Sequence, residues 1–317
     1  MKFAQTLLGV AALTLAGVAA AFPTKTITIV VPVAAGGGND AMARLVAQRL
    51  ATVMGSAVIV ENKAGASGAI ASEYVARAPA DGHTLLFGYT ATHAINPALQ
   101  KLRYDPVNDF EPVGLVSESP TLMVVHPSVK VTNAKALVAL LKAKPDSFSY
   151  ASAGNGTAPH LAAELFKMST STVMTHIAYK GAAPAMMDTI AGTTQVMFPS
   201  LFAGSPQVKA GKLVALGIAG PKRVPNMPDV PTLTEQGIDV DVTQWYGLFA
   251  PAKTPKDVID RLNTDLNKVL ASKELVAKMA EQGADVVSST PAQFKTRVAS
   301  ELAKWKKVVA STGITAD

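Results

Sequence analysis

Residues 33–40 read Val33-Ala34-Ala35-Gly36-Gly37-Gly38-Asn39-Asp40. They stand between an apolar run, Ile27 to Pro32, and a run with helical spacing, Met42, Leu45, Val46, Leu50 and Val53. Strand, glycine loop, helix is an order that aims unpaired backbone N–H groups and the positive end of a helix dipole at one point, where an anion can bind. The order returns downstream. Phe148 to Ser152 leads to Ala153-Gly154-Asn155-Gly156-Thr157 and then to a helix carrying Leu161, Ala162, Leu165 and Phe166. One such loop is a weak signal. Two, in matching places of two half-repeats, suggest a cleft that grips an anion from both sides.

Other chemistries fit less well. The dinucleotide pattern G-x-G-x-x-G fails because Ala41 stands where its last glycine belongs, and Gly211-Lys212 continues with Leu213 instead of completing a phosphate loop. Ser67 in Gly65-Ala66-Ser67-Gly68 lacks the full nucleophile-elbow spacing. The five histidines, His83, His93, His126, His160 and His176, show no i, i+4 pair and no accompanying carboxylate, so neither a metal nor a cofactor is expected. His160, in the first turn of its helix, reads first as a packing or capping residue and second as a ligand contact; His93 is similar. Asp40 reads as the cap of the first helix before it reads as a contact to a cationic ligand group. Lys63 either pairs with a carboxylate in the cleft or is an exposed lysine. Trp245 and Tyr246 read equally as core or as an aromatic cleft wall. An exported hydrolase using Ser67 or Ser152 with His93 or His160 is the enzymatic alternative, which a Ser–His pair within hydrogen-bond reach would strengthen.

The elements that position these residues form an internal repeat. In the first half, strand 27–32, loop 34–39 and helix 40–54 are followed by strand 57–60, the turn 61–68, a helix through Ile70, Tyr74 and Val75, and strand 84–87. In the second half, strand 148–152, loop 153–157 and helix 159–168 are followed by strand 173–179, the turn 180–184, a helix through Met187 and Ile190, and strand 195–198. Alternating strands and helices imply parallel sheets with right-handed crossovers, with ligands beyond the carboxyl ends of the strands. Up to four helix N-termini then converge, each worth roughly 0.3–1 kcal/mol towards a negative charge and up to about 2 when partly buried. The chain is expected to cross between lobes near 115–126 and to return near 243–247. Thr254-Pro255 and Thr290-Pro291 read as cap-plus-proline starts of two closing helices. The expected architecture is α/β with two lobes, residues 22–120 plus 246–317 and residues 121–245.

The first residues, Met1-Lys2-Phe3, a Leu/Ala/Val stretch from Leu7 to Ala20 and small residues at Ala19 to Ala21 read as a secretory signal peptide cleaved near Ala21, which places the mature protein in the periplasm. There is no cysteine, which excludes thiol catalysis, disulfides, thiolate metal sites and a lipid anchor at a leading cysteine. Basic residues number 29 against 23 acidic, without a concentrated basic face, so nucleic acid is not an expected partner.

Several stretches together resemble the substrate-binding proteins of tripartite tricarboxylate transporters, the Bug family. They are Pro32 to Asp40, Glu61 to Ala66 with Gly68, Asp105 to Val113, Gly154 to Thr157 with His160 to Ala162, Tyr179 to Gly181 with Pro184 and Ala185, Asp229 to Thr232 with Glu235 and Gly237, and Trp245 with Ala250-Pro251. The resemblance implies a two-lobed periplasmic binding fold of type II, a small organic carboxylate as ligand, membrane permease subunits as partners, a monomer, and no catalysis. It implies that backbone groups and ordered waters hold the ligand. Candidate ligand-binding residues are Ala35, Gly36, Gly37, Asn39, Asp40, Lys63, Ala64, Ala66, Ser67 and Thr90 from the first lobe, and Ala153, Gly154, Thr157, His160 and Lys180 from the second. Two positions depart from the family pattern. Asn39 replaces the frequent Ser or Thr, and Pro199-Ser200 stands where an acidic residue often follows the strand, which weakens the case for an amino-acid ligand. A sensor partner that presents its ligand to a signalling receptor is the third reading.

Overall fold

The computed structural model describes residues 22–281, 283–312 and 314–315. The expected signal peptide, residues 1–21, lies outside them. The first repeat runs β1 (Ile27–Val31), α1 (Gly38–Met54), β2 (Val58–Asn62), α2 (Ala69–Ala76) and β3 (Thr84–Tyr89), followed by a π-helical turn over Ala91–Ile95 and the single turn α3 (Asn96–Leu99). The long strand β4 (Phe110–Val125) leads through α4 (Ala134–Ala143) into the second repeat: β5 (Ser149–Ser152), α5 (Ala158–Thr170), β6 (Thr175–Ala178), α6 (Ala182–Ile190) and β7 (Val196–Met197). Then come α7 (Leu201–Lys209), β8 (Val214–Ala219), β9 (Thr243–Pro251), α8 (Lys256–Leu270), α9 (Lys273–Glu281), β10 (Asp285–Val286) and α10 (Pro291–Thr312). The sequence marks two closing helices, whereas three lie there, α9 and the short β10 being the additions.

Both repeats form parallel three-stranded units, β2-β1-β3 and β6-β5-β7. β1 is buried at four of its five positions, as a central parallel strand covered on both faces must be, whereas β2 alternates between exposed and half-buried as an edge. Strand β4 joins the two sheets. Its first part pairs antiparallel with β9, from Phe110 opposite Pro251 to Pro120 opposite Thr243. Its last part, Thr121 to Val125, pairs antiparallel with β8 and, at Val124 and Val125, with β7. The change of sheet falls beside Pro120, which has no N–H to continue a ladder. There Thr121 N donates to Val242 O and Val242 N to Ala219 O, so the two crossing segments lie side by side.

In the first lobe, Ile29, Val31, Leu85 and Phe87 from the sheet meet Val46 and Leu50 of α1 and Leu262, Leu266 and Val269 of α8. The α8 residues follow the i, i+4, i+7 spacing of one helix face. In the second lobe, Leu122, Val124, Ala151, Met197 and Ile218 pack under Met186 and Leu201. α8 begins at Lys256 with Pro255 as its cap residue, one position later than expected, because the Thr254 hydroxyl instead donates to Pro251 O at 2.8 Å. α10 does begin at Pro291. Thr290 Oγ1 accepts from Gln293 N and Gln293 Oε1 accepts from Thr290 N, a reciprocal capping pair. Among the described residues no helix is long and apolar enough to cross a membrane.

Candidate functional site

The first glycine loop leaves β1 at Pro32 and enters α1 with Gly37 as the cap residue and no side chain bonded to the first amides. Asp40 is therefore not the N-cap that the sequence suggested. It sits in the first turn and its carboxylate reaches back, accepting from Gly36 N at 2.9 Å, Arg44 Nε at 3.0 Å and Asn62 Nδ2 at 2.9 Å. Asn62 also donates to Val33 O at 3.1 Å, so one carboxylate and one amide fix both sides of the loop. Burial pushes the Asp40 carboxyl up, but the Arg44, Gly36 and Asn62 hydrogen bonds outweigh it and hold the group below the usual carboxylate range. With its oxygens engaged inside the first lobe, Asp40 shapes the loop from behind.

The second loop is fastened differently. Gly154 and Gly156 have φ of +121° and +70°, which glycine adopts without strain. The Thr157 hydroxyl donates to Gly154 O at 2.6 Å. Gly154 N donates to Ser152 Oγ at 3.1 Å, and Ser152 Oγ lies 2.7 Å from His176 Nε2. Gly156 N donates to His160 Nδ1 at 3.2 Å. A Ser–His pair thus exists, but with His176, which neither hydrolase reading named. Ser152 is fully buried and its oxygen serves the loop amide, so the pair is a loop support. The other serine of that reading, Ser67, donates to the carbonyl of Asn155 across the cleft. His93 is buried in the π-helical turn, stacked on Phe249 at 3.9 Å, and burial pushes its pKa down to about 3.

The two loops face each other and the lobes touch. A side-chain carbon at Gly37 would stand 3.6 Å from Ala182 Cβ, one at Gly36 would stand 3.7 Å from Ala183 Cβ, and one at Gly181 would stand 3.1 Å from Ala34 N. Ala66 and Ser67 adopt left-handed backbone, φ 45° and 52°, a costly conformation held by Asn96 Nδ2 donating to Ser67 O at 2.9 Å. Between the lobes lie an outer chamber of about 260 Å³ and a small inner one of about 30 Å³. The outer chamber is lined by Ala66, Ser67, Ala153, Gly154 and Lys180 among others. Gly37, Asn39 and Thr157 line the inner one.

These eight candidates therefore share one cleft. Ala35 and Gly36 border a separate groove on its flank. Asp40 and His160 stand behind their loops. Lys63 pairs with Glu61 at 2.6 Å and lies 4.2 Å from the Tyr74 ring centroid. Neither it nor Ala64 lines a chamber. Thr90 is fully buried and its oxygen accepts from Trp245 N at 2.8 Å, clasping β3 to β9.

The structure adds Tyr89, Ser200, Gln244 and Tyr246 to the inner chamber. Gln244 and Tyr246 are two apart on β9 and share a face, while Trp245 between them enters the core against Phe294, which settles the two aromatic residues in opposite ways. Alternation along a strand could have separated them; Ser200, which the sequence marks only as a departure from the family pattern after the strand, caps α7 by accepting from Ala203 N. Burial raises the pKa of both the Tyr89 and the Tyr246 hydroxyl, so both remain protonated donors. The Asn39 side chain is 6% exposed, and neither its Oδ1 nor its Nδ2 has a hydrogen-bond partner.

Two α/β lobes closed on a cleft with opposed glycine loops define a solute-binding protein. Residues 42–314 match the tripartite tricarboxylate transporter family receptor, and the chain belongs to that family. Protein BugT of Bordetella pertussis (strain Tohama I) is 35% identical over 295 residues, which cover 92% of this chain and 90% of BugT. Rpa4515 of R. palustris, solved with adipate, is similar in structure with a TM-score of 0.90 and 35% identity over 93% of this chain and 99% of that one. MatC from Rhodopseudomonas palustris, solved with bound malate, gives 0.87 and 32% over 91% and 100%. The chain is a receptor of the periplasmic binding type, not an enzyme.

Proposed function

We propose that this chain captures a small carboxylate-bearing metabolite in the periplasm and hands it to the membrane permease subunits of a tripartite tricarboxylate-type transporter, acting as a monomer released from its leader near Ala21. The observation that carries the reading is Asn39. A buried carboxamide with neither atom paired is costly, about 1–3 kcal/mol for each unmet group, unless a ligand or water completes it. It sits in the first turn of α1, whose uncapped amides favour an anion by roughly 0.3–1 kcal/mol. Lys180, exposed and in no ion pair among the described residues, lines the outer chamber. The adipate and malate held by two similar receptors support the same ligand class.

In this reading Gly37, Asn39, Ala66 and Ser67 belong to a lobe of residues 22–120 plus 246–317. Ala153, Gly154, Thr157 and Lys180 belong to a lobe of residues 121–245. The ligand would touch both, and its contacts are complete only when the lobes close, so binding shifts the population towards the closed form. A panel of mono-, di- and tricarboxylates, added to protein stripped of ligand by unfolding and refolding, should raise the melting temperature for at least one member. No shift with any of them would sink the reading.

A further inference from the structure

We infer that the site is built for a 2-hydroxycarboxylate, with Asn39 reading the hydroxyl and the adjoining carboxylate together. The inference rests on the receptor function proposed above. Three polar neighbours in the inner chamber are already engaged with the scaffold. The Thr157 hydroxyl donates to Gly154 O, the Tyr246 hydroxyl donates to Gln244 Oε1 at 3.3 Å, and Ser200 Oγ accepts from Ala203 N at 3.3 Å. Asn39 differs from them in offering one donor and one acceptor, side by side and both unmet, on a side chain more than nine-tenths buried. Exchange of the amide oxygen and nitrogen leaves that result unchanged, since both atoms lack partners.

A bare carboxylate brings acceptors only. It answers Nδ2 but turns lone pairs towards Oδ1. A hydroxyl on the neighbouring carbon supplies the missing donor next to the carboxylate oxygen that receives Nδ2. A neutral carboxamide would also match the pair, but the α1 N-terminus and Lys180 favour a negative ligand. The size of the chambers sets the direction. About 30 Å³ beside Asn39 admits a single small polar group, and the rest of the ligand extends into the 260 Å³ chamber towards Lys180.

The test is calorimetric titration of the refolded mature chain with matched pairs: malate against succinate, lactate against propionate, 2-hydroxyadipate against adipate. In at least one pair the hydroxy acid should bind at least about tenfold more tightly, because a site that hydrogen-bonds a hydroxyl rejects the analogue lacking it. Asn39→Ala should bring the two members of that pair within about threefold while weakening the hydroxy acid more. Asn39→Ser serves as a second variant if the first melts well below the parent. Equal binding within every pair by the parent protein, retention of the preference by both variants, or tighter binding of lactamide than of lactate overturns the inference and leaves the receptor reading standing. Binding of no carboxylate at all overturns both.

Discussion

The His160 ring lies on the His176 ring, with centroids 4.3 Å apart and planes inclined by 13°, and each imidazole supports an amide of the same glycine loop. His160 Nδ1 accepts from Gly156 N, and His176 meets Ser152 Oγ, which accepts from Gly154 N. Tyr150 extends the stack at 4.7 Å from His176, with its hydroxyl on Glu164 and Lys167 alongside. Two loop amides thus take their directions from a pile of rings that lines neither chamber.

That arrangement makes the loop sensitive to which acceptor stands at position 160. His160→Leu removes the acceptor of a buried amide and should weaken ligand binding by roughly fivefold to tenfold, the equivalent of about 1 kcal/mol or slightly more. His160→Asn, which can place an oxygen near the Nδ1 position, should recover most of the affinity. Calorimetry with the best carboxylate of the panel checks this. Parental affinity in His160→Leu would count against it.

Asp40 is predicted to matter more for the fold than its ion pair suggests. Asp40→Ala leaves the Gly36 amide without an acceptor and takes from Asn62 Nδ2 one of its two, Val33 O remaining. It should cost about 2–3 kcal/mol in urea unfolding. Arg44→Ala removes a half-exposed partner and should cost less than about 1 kcal/mol. Equal losses would mean that the ion pair, and not the loop amide, is what Asp40 serves.

The glycines divide. Gly37 has ordinary backbone, φ −83°, and the atoms nearest a side-chain carbon there belong to Ala182 and Ala183 across the cleft. Gly37→Leu should block closure and binding while leaving the melting temperature of the ligand-free protein nearly unchanged. Gly154, at φ +121°, is strained by any side chain, and a carbon there would also meet Ser67 Oγ at 3.0 Å. Gly154→Ala should therefore lower stability, by roughly 1–3 kcal/mol, as well as binding. Melting curves with and without ligand separate the two behaviours.

His93 gives stability a pH dependence. Its folded pKa of about 3 lies below the 6.5 of an ordinary histidine, so between these limits the unfolded chain binds the extra proton. The contribution is fully present above pH 6.5 and is lost as pH falls towards 3, amounting to a few kcal/mol at most. Urea midpoints between pH 7.5 and 4.5 should fall, and less steeply in His93→Gln than in the parent. Identical slopes would show that His93 does not titrate as its burial requires.

The two halves of the molecule were legible because backbone geometry leaves strong marks. Val- and Ile-rich strands, glycine loops and amphipathic helices repeat in order, and both loops do meet across one cleft. Side-chain direction was less legible. Asp40 looked like a cap because it begins a helical run, yet α1 starts two residues earlier and turns its carboxylate backwards. Thr90 and Lys63 lie at strand ends that point towards the cleft, but their side chains have partners in Trp245 and Glu61 instead. His176 carried no local pattern, since its role depends on a strand pairing that sets it opposite Tyr150. The inner wall, Tyr89 with Gln244 and Tyr246, comes from two strands more than 150 residues apart that pair antiparallel.

In the proposed function a carboxylate is held between two lobes that close on it, with Gly37 against Ala182 and Ala183. The most direct measurement is calorimetric titration of refolded protein with malate and adipate, run in parallel on the parent chain and on Gly37→Leu. One-to-one binding of at least one of them by the parent, and none by a Gly37→Leu protein that melts at the parental temperature, is the predicted result. Binding retained in Gly37→Leu at parental strength would rule this out, because the ligand would then not need Gly37 to close on Ala182 and Ala183.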